Sequence, residues 1–211
     1  VMVLQTKQYA SIAGTNPINL RAGGVDMSAA NRGLRVSAPI NISAPQTWIV
    51  GPTAGALNVS GILTGKEKLT KAGPGTLELN ATNDFLGSLI VDAGKLLVNG
   101  TLAARPLLVR GTLSGTGSLD GLTLIDSGGV LSPGNPIGAL TFTGPLAFFS
   151  NSVVFLEINN ALHTNDQVKT DRAIIYNGNL TVTNLAGELN GGDRFKLFEA
   201  ESYEGAFEHI T

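Results

Sequence analysis

Apolar residues along this chain fall in short runs of two to five, separated by Gly, Asn, Ser or Pro, and no segment sustains the i, i+3, i+4 spacing of a helix face. The clearest unit is Gly-x-Leu. It recurs at Gly55, Gly75, Gly94, Gly111 and Gly129, at spacings of 20, 19, 17 and 18 residues. Two residues after each glycine stands Leu57, Leu77, Leu96, Leu113 or Leu131, and two further on stands Val59, Leu79, Val98, Gly115 or Pro133. A leucine followed by an apolar residue two positions later has a period of two, which puts both on one face of a strand. The position between them is polar in Asn58, Glu78, Ser114 and Ser132, with Leu97 as the exception. Small polar residues and glycine follow, as suits a turn that visits positive φ.

A second apolar stretch precedes most of these glycines, at 69–71, 89–91, 107–109 and 122–125. Strand, turn and return after about 18 residues describe one coil of a solenoid. The expectation is an all-β parallel β-helix with at least two short strands per coil and almost no helix. Successive coils would stack ~4.8 Å apart, with the five leucines as an internal ladder and the five glycines at the turns. Each coil would bury its apolar row only against its neighbours. Upstream, residues 18–20, 34–36, 40–42 and 48–50 read as strands of earlier, degenerate coils, while residues 1–13 receive no assignment. Downstream, seven of the eight phenylalanines lie beyond residue 141, and the stretch 152–159 alternates as one long strand. Residues 177–183 and 192–200, joined through "NGG" at 190–192, read as antiparallel strands of a C-terminal cap or sheet. The chain then divides into degenerate coils (1–50), a repeat region (51–145) and a cap region (146–211).

Composition narrows the function. Glycine makes up 27 of 211 residues, against about 7 % on average, without the strict period of collagen. The net charge of -2 and the scattered Lys and Arg argue against nucleic acid and against an anionic membrane surface. There is no cysteine, which removes disulfides, thiolate zinc sites and cysteine nucleophiles together, and fits a surface protein that crosses an oxidising compartment unfolded. No apolar run approaches the ~20 residues of a membrane-spanning helix. The first residues do not read as a signal peptide and the last show no obvious stop, so both ends read as those of a fragment.

Candidate chemistry is sparse. The two histidines, His163 and His209, lack partners at metal-ligand spacing, and no serine sits in a Gly-x-Ser-x-Gly elbow. Residues 61–67 imitate a phosphate loop one residue short, with Glu67 where Ser or Thr should meet magnesium, and residues 115–121 miss the dinucleotide fingerprint by one residue. Both read as coil turns. The Asn-x-Ser/Thr triplets at Asn41, Asn58, Asn80, Asn99 and Asn179 follow from turn composition. The candidate for a carbohydrate-active site is a column of Asp92, Arg110 and Asp126, which sit two, one and three residues before their repeat glycines and so align only loosely. The expectation is no catalytic residue, no metal, no cofactor and no enzymatic role.

Residues 69–100, 111–119 and 128–138 resemble the β-strand repeat associated with bacterial autotransporter passenger domains. Lys71, Gly73, Gly75, Thr76, Leu77 and Leu79 carry the first part of that pattern, and Gly87, Val91, Gly94, Leu96 and Val98 the second. Leu131, Ser132, Pro133, Gly134 and Asn135 carry the last, and "PIG" at 136–138 departs from its usual continuation. With the C-terminal section, the resemblance covers about residues 50–207. It implies a right-handed β-helix that is secreted or surface-exposed, largely structural and rarely catalytic. The membrane barrel that usually follows such passengers is not in this sequence. The implied function is an extracellular structural or adhesive protein of a bacterial surface, with surface glycans or further copies of itself as partners. Assembly end to end into a fibre is one form of that role, and a polysaccharide lyase or hydrolase is the alternative.

Overall fold

The computed structural model describes residues 2–3 and 10–211, and its regular elements are all strands. The chain winds as a right-handed parallel β-helix. Each coil lays one strand into each of three sheets, so neighbours within a sheet are successive coils. Sheet I includes Gln46–Val50, Leu69–Ala72, Leu89–Val91, Leu107–Val109, Thr123–Ile125, Leu146–Phe148, Ala173–Tyr176 and Ser202–Gly205. The Gly-x-Leu segments form sheet II, among them Leu57–Val59, Thr76–Leu79, Lys95–Val98, Thr112–Gly115 and Val130–Pro133. Sheet III is the strand per coil that the repeat did not announce. Its members Thr82–Phe85, Thr101–Leu102 and Ser118–Leu119 are two to four residues long and turn in only one or two side chains, too few for a period to show.

Strand pairing sets the core. Leu57, Leu77, Leu96, Leu113 and Leu131 pair in register from coil to coil, and all are buried. Coils at this spacing bring backbones so close that a side chain at some corners has no room. At Gly94, φ is +69° and a Cβ would lie 2.5 Å from the carbonyl oxygens of Gly73 and Gly75. Glycine is therefore required there for both conformation and space.

Upstream, the sequence-assigned strands are present, with Val25–Met27 and Ala10–Ile12 in addition. Ala10–Ile12 pairs with Leu34–Val36, and Met2–Val3 with the strand beginning at Val25, so part of the unassigned 1–13 segment joins the first coil. Residues 1 and 4–9 of that segment lie outside the described residues.

The expected antiparallel C-terminal cap is corrected. Asn179–Asn184 runs parallel to Val153–Asn159 and to His209–Ile210, all in sheet II, and Phe198–Glu199 joins sheet III parallel to Gln167–Thr170. Residues 185–197 form a long connection between two sheets of one coil, so "NGG" is not a hairpin turn. Of the phenylalanines that suggested a change of architecture, Phe142, Phe148, Phe198 and Phe207 pack in the same core at that end, whereas Phe149 is exposed. Tyr176 stacks on Phe148 and Tyr203, with ring planes 8° and 4° apart, and Phe207 packs against Tyr176 at 4.6 Å between centroids.

Candidate functional site

Asp92, Arg110 and Asp126 come together. Val91, Val109 and Ile125 pair in register, so the next residue on each coil stands at the same corner. Arg110 Nε donates to Asp126 Oδ2 at 3.0 Å, and Arg110 Nη1 lies 3.5 Å from Asp92 Oδ1. Alignment on the repeat glycines misplaced them because the corner between sheets I and II varies in length, whereas strand pairing fixes register. The hydrogen bond donated to Asp126, with smaller attraction from both carboxylates, holds the guanidinium above its ordinary pKa. Glycoside hydrolysis needs two carboxyl groups with substrate or water between them. Here Arg110 fills that gap, and the column is an ion-pair ladder.

Among the described residues two charged groups are buried without being paired. Lys71 follows Leu69 at the inward period-two position, and its side chain is 0 % exposed. Its Nζ donates to the carbonyl oxygens of Ala72, Gly73 and Ala93 at 3.0, 2.7 and 2.9 Å. The ammonium thus ties the corner of its own coil to that of the next. Burial pushes its pKa down to about 8. The alternation Leu69, Lys71 was the available signal, since it places the lysine inside.

Asp166 is the second. Val153–Asn159 runs on after its neighbour Val130–Pro133 has turned away. Thr164–Asn165 folds back antiparallel to cover part of the exposed edge. The Asp166 carboxylate covers the rest, accepting from Glu157 N at 2.8 Å and Gly138 N at 2.9 Å. Burial pushes this carboxyl up to about 6, against the pull of the two N–H groups.

The motif from Leu131 to Asn135 begins in the sheet II strand Val130–Pro133 and leaves the coil from Gly134. Ser114 Oγ donates to Gly134 O at 2.9 Å, and Gly134 N to Gly115 O at 2.8 Å, so this connection lies against the outer side of sheet II. Leu97, outward-facing on the adjacent strand, is only 8 % exposed. Its apolar character breaks the alternation because the position is covered. Two longer connections also pack on one another: Ala161 N donates to Ala186 O, and Asn160 and Asn190 both donate to Asp193 Oδ2. They expose Leu162 and Leu189 on the flank of the solenoid.

The remaining candidates lie apart. His163 is exposed at the tip of the first of these connections with φ +50°, and His209 is exposed in His209–Ile210. Among the described residues neither imidazole hydrogen-bonds another side chain, and no three His, Asp or Glu side chains converge as a metal site. The 61–67 and 115–121 segments contain the sheet III strands Leu63–Gly65 and Ser118–Leu119, which places both look-alike motifs within coils. No helix among the described residues is long and apolar enough to cross a membrane.

No protein-family profile matches the chain. Two curated proteins are similar to it. An extracellular serine protease of Serratia marcescens is 30 % identical over 160 residues, 71 % of this chain and 15 % of the protease. The adhesin BmaC autotransporter of Brucella suis is 34 % identical over 117 residues, 52 % of this chain and 3 % of the adhesin. The chain thus spans a small part of each relative. The expectation of no enzymatic role is corrected by the first of these, a protein named as a protease. The chain is therefore similar both to an extracellular enzyme and to an autotransporter adhesin.

Proposed function

We propose that the chain is a rigid β-helical section of an extracellular bacterial surface protein, with residues 51–145 as its most regular repeat and an adhesive or display role. The observation that carries this reading is the similarity to an extracellular protein over 71 % of the chain, joined by similarity to an autotransporter adhesin. The fold supports it physically. Ten stacked strands in sheet I make a rod of about 43 Å, stiffened by continuous hydrogen-bonded sheets. Antibodies raised against the folded chain should label intact producing cells, and an array of surface glycans should return specific binding. Labelling that appears only after permeabilisation overturns the reading. In the fibre form of this role, Ser202–Gly205 and His209–Ile210 would receive the next subunit, and electron microscopy over a concentration series would show filaments.

The similarity to a serine protease favours a second reading, in which the rod belongs to an enzyme. A fluorophosphonate probe, which labels activated serines, distinguishes two cases. A labelled serine within these 211 residues places the nucleophile here, and labelling only in a longer polypeptide makes this section the support of a catalytic unit.

A further inference from the structure

The three sheets differ in what they turn outward. Sheet III presents Asn19, Asn41, Thr64 and Asp84 in register, and sheet II presents Arg35, Asn58 and Glu78. Sheet I presents Ile90, Leu108, Leu124, Ala147 and Ile175, paired coil to coil. Their strand neighbours, such as Leu89 and Val91 or Leu107 and Val109, point into the core, so these five project away from it. Ile175 is 44 % exposed and the other four are half-buried. Among the described residues no further sheet packs on this face. Parallel strands that are apolar on both sides are ordinarily covered on both sides, and an uncovered apolar patch marks an interaction surface.

The flanks of the patch are charged in a pattern that suits a copy of itself. On one flank Arg110 pairs with Asp126, and on the other Arg105 pairs with Asp120. Both pairs bridge the same two coils, those of Leu108 and Leu124. Two rods laid face to face and antiparallel are related by a two-fold axis crossing them between these coils. That operation sets Leu108 against Leu124 of the second copy and Ile90 against its Ala147. It also sets Arg110 against Asp126 and Arg105 against Asp120, each contact occurring twice, as an isologous interface requires. A parallel arrangement would instead bring Arg110 toward Arg105, and Asp126 toward Asp120. From the coil of Thr70 to that of Ile175 the face is about 24 Å long, and its strands of three or four residues widen to about 17 Å when the flanking Arg105 and Arg110 are included, so two copies bury on the order of 800 Å², the size of a weak, reversible interface.

We propose that this aliphatic face of sheet I is a self-association surface, on which a second copy of the chain packs antiparallel about a two-fold axis between the Leu108 and Leu124 coils. The proposal goes beyond the surface-rod reading and does not depend on it, because it is measured on the isolated chain.

Sedimentation equilibrium tests it. The weight-average mass should rise from 21.8 kDa toward twice that value with concentration and stop there. Leu108→Lys should weaken the dimer at least tenfold while leaving the circular dichroism spectrum and melting midpoint unchanged. Arg110→Glu and Asp126→Arg should each be monomeric alone, and a 1:1 mixture should dimerise, because each variant then meets the opposite charge on the other. If the charge variants fold poorly, Leu108→Cys mixed with Leu124→Cys, in a chain otherwise free of cysteine, should oxidise to the mixed disulfide faster than either does with itself. A monomer at all concentrations up to about 0.5 mM, a range that would reveal even a weak dimer, overturns the proposal. So does a dimer that Leu108→Lys leaves unchanged.

Discussion

Replacing Lys71 with methionine keeps most of the side chain's length and apolar volume and removes its ammonium. The three carbonyls it bonds, on Ala72, Gly73 and Ala93, then lose that partner inside the corner between two coils. A buried polar group left without a partner costs about 1–3 kcal/mol, so three at about 2 kcal/mol each give a loss of about 6 kcal/mol. Against this stands relief from burying a charge. The fall in pKa from 10.5 to about 8 corresponds to about 3 kcal/mol at ~1.4 kcal/mol per pH unit. The net expectation at pH 7 is a destabilisation of about 3 kcal/mol. The pH dependence adds a second readout. Between about pH 8 and 10.5 the folded lysine has released its proton while the unfolded one still holds it. Stability therefore rises with pH across that window and falls as pH drops through 8. Urea denaturation of wild type and Lys71→Met at pH 7 and pH 10.5 measures both effects, and the wild-type advantage should grow with pH. A variant as stable as wild type at pH 7, with no change in the difference by pH 10.5, refutes the reasoning.

Leu96→Ala or Leu113→Ala should each lower unfolding free energy by ~2–5 kcal/mol, since each leaves a cavity in a ladder with leucine above and below. Gly94→Ala should cost more than Gly128→Ala in thermal melts. Both have positive φ, but an added Cβ at Gly128 meets no atom within 4 Å, leaving only a conformational cost of about 1 kcal/mol. Asp166 carries a raised pKa, so its contribution is fully present below about pH 3.8 and is lost as pH rises through about 6. The denaturation midpoint of wild type relative to Asp166→Asn should accordingly fall between pH 4 and pH 7. Arg110→Ala should leave the melting midpoint of the monomer essentially unchanged, as expected for an exposed, solvent-screened ion-pair ladder.

The sequence by itself determined the coil. A period near 18 residues, glycine at the turns and leucine two residues later are local facts, and each follows from backbone sterics or strand alternation within one unit. The inward placement of Lys71 was legible in the same way, from its spacing to Leu69. What only the tertiary structure decided is everything that depends on register between coils. Counting from glycines could not align Asp92, Arg110 and Asp126, because the corner loops differ in length while hydrogen bonding between strands does not. Nor could local pattern explain Leu97, an outward strand position that the folded chain nonetheless buries. The direction of the C-terminal strands was misread for a related reason. Alternation and a glycine pair are compatible with a hairpin or a long coil connection, and only pairing of Asn179–Asn184 with strands a full coil away selects the second. The apolar column of sheet I shows both levels at once. Its members were visible as unbroken apolar runs, but that they form one continuous uncovered face, flanked by matched charges, is a property of the stacked coils.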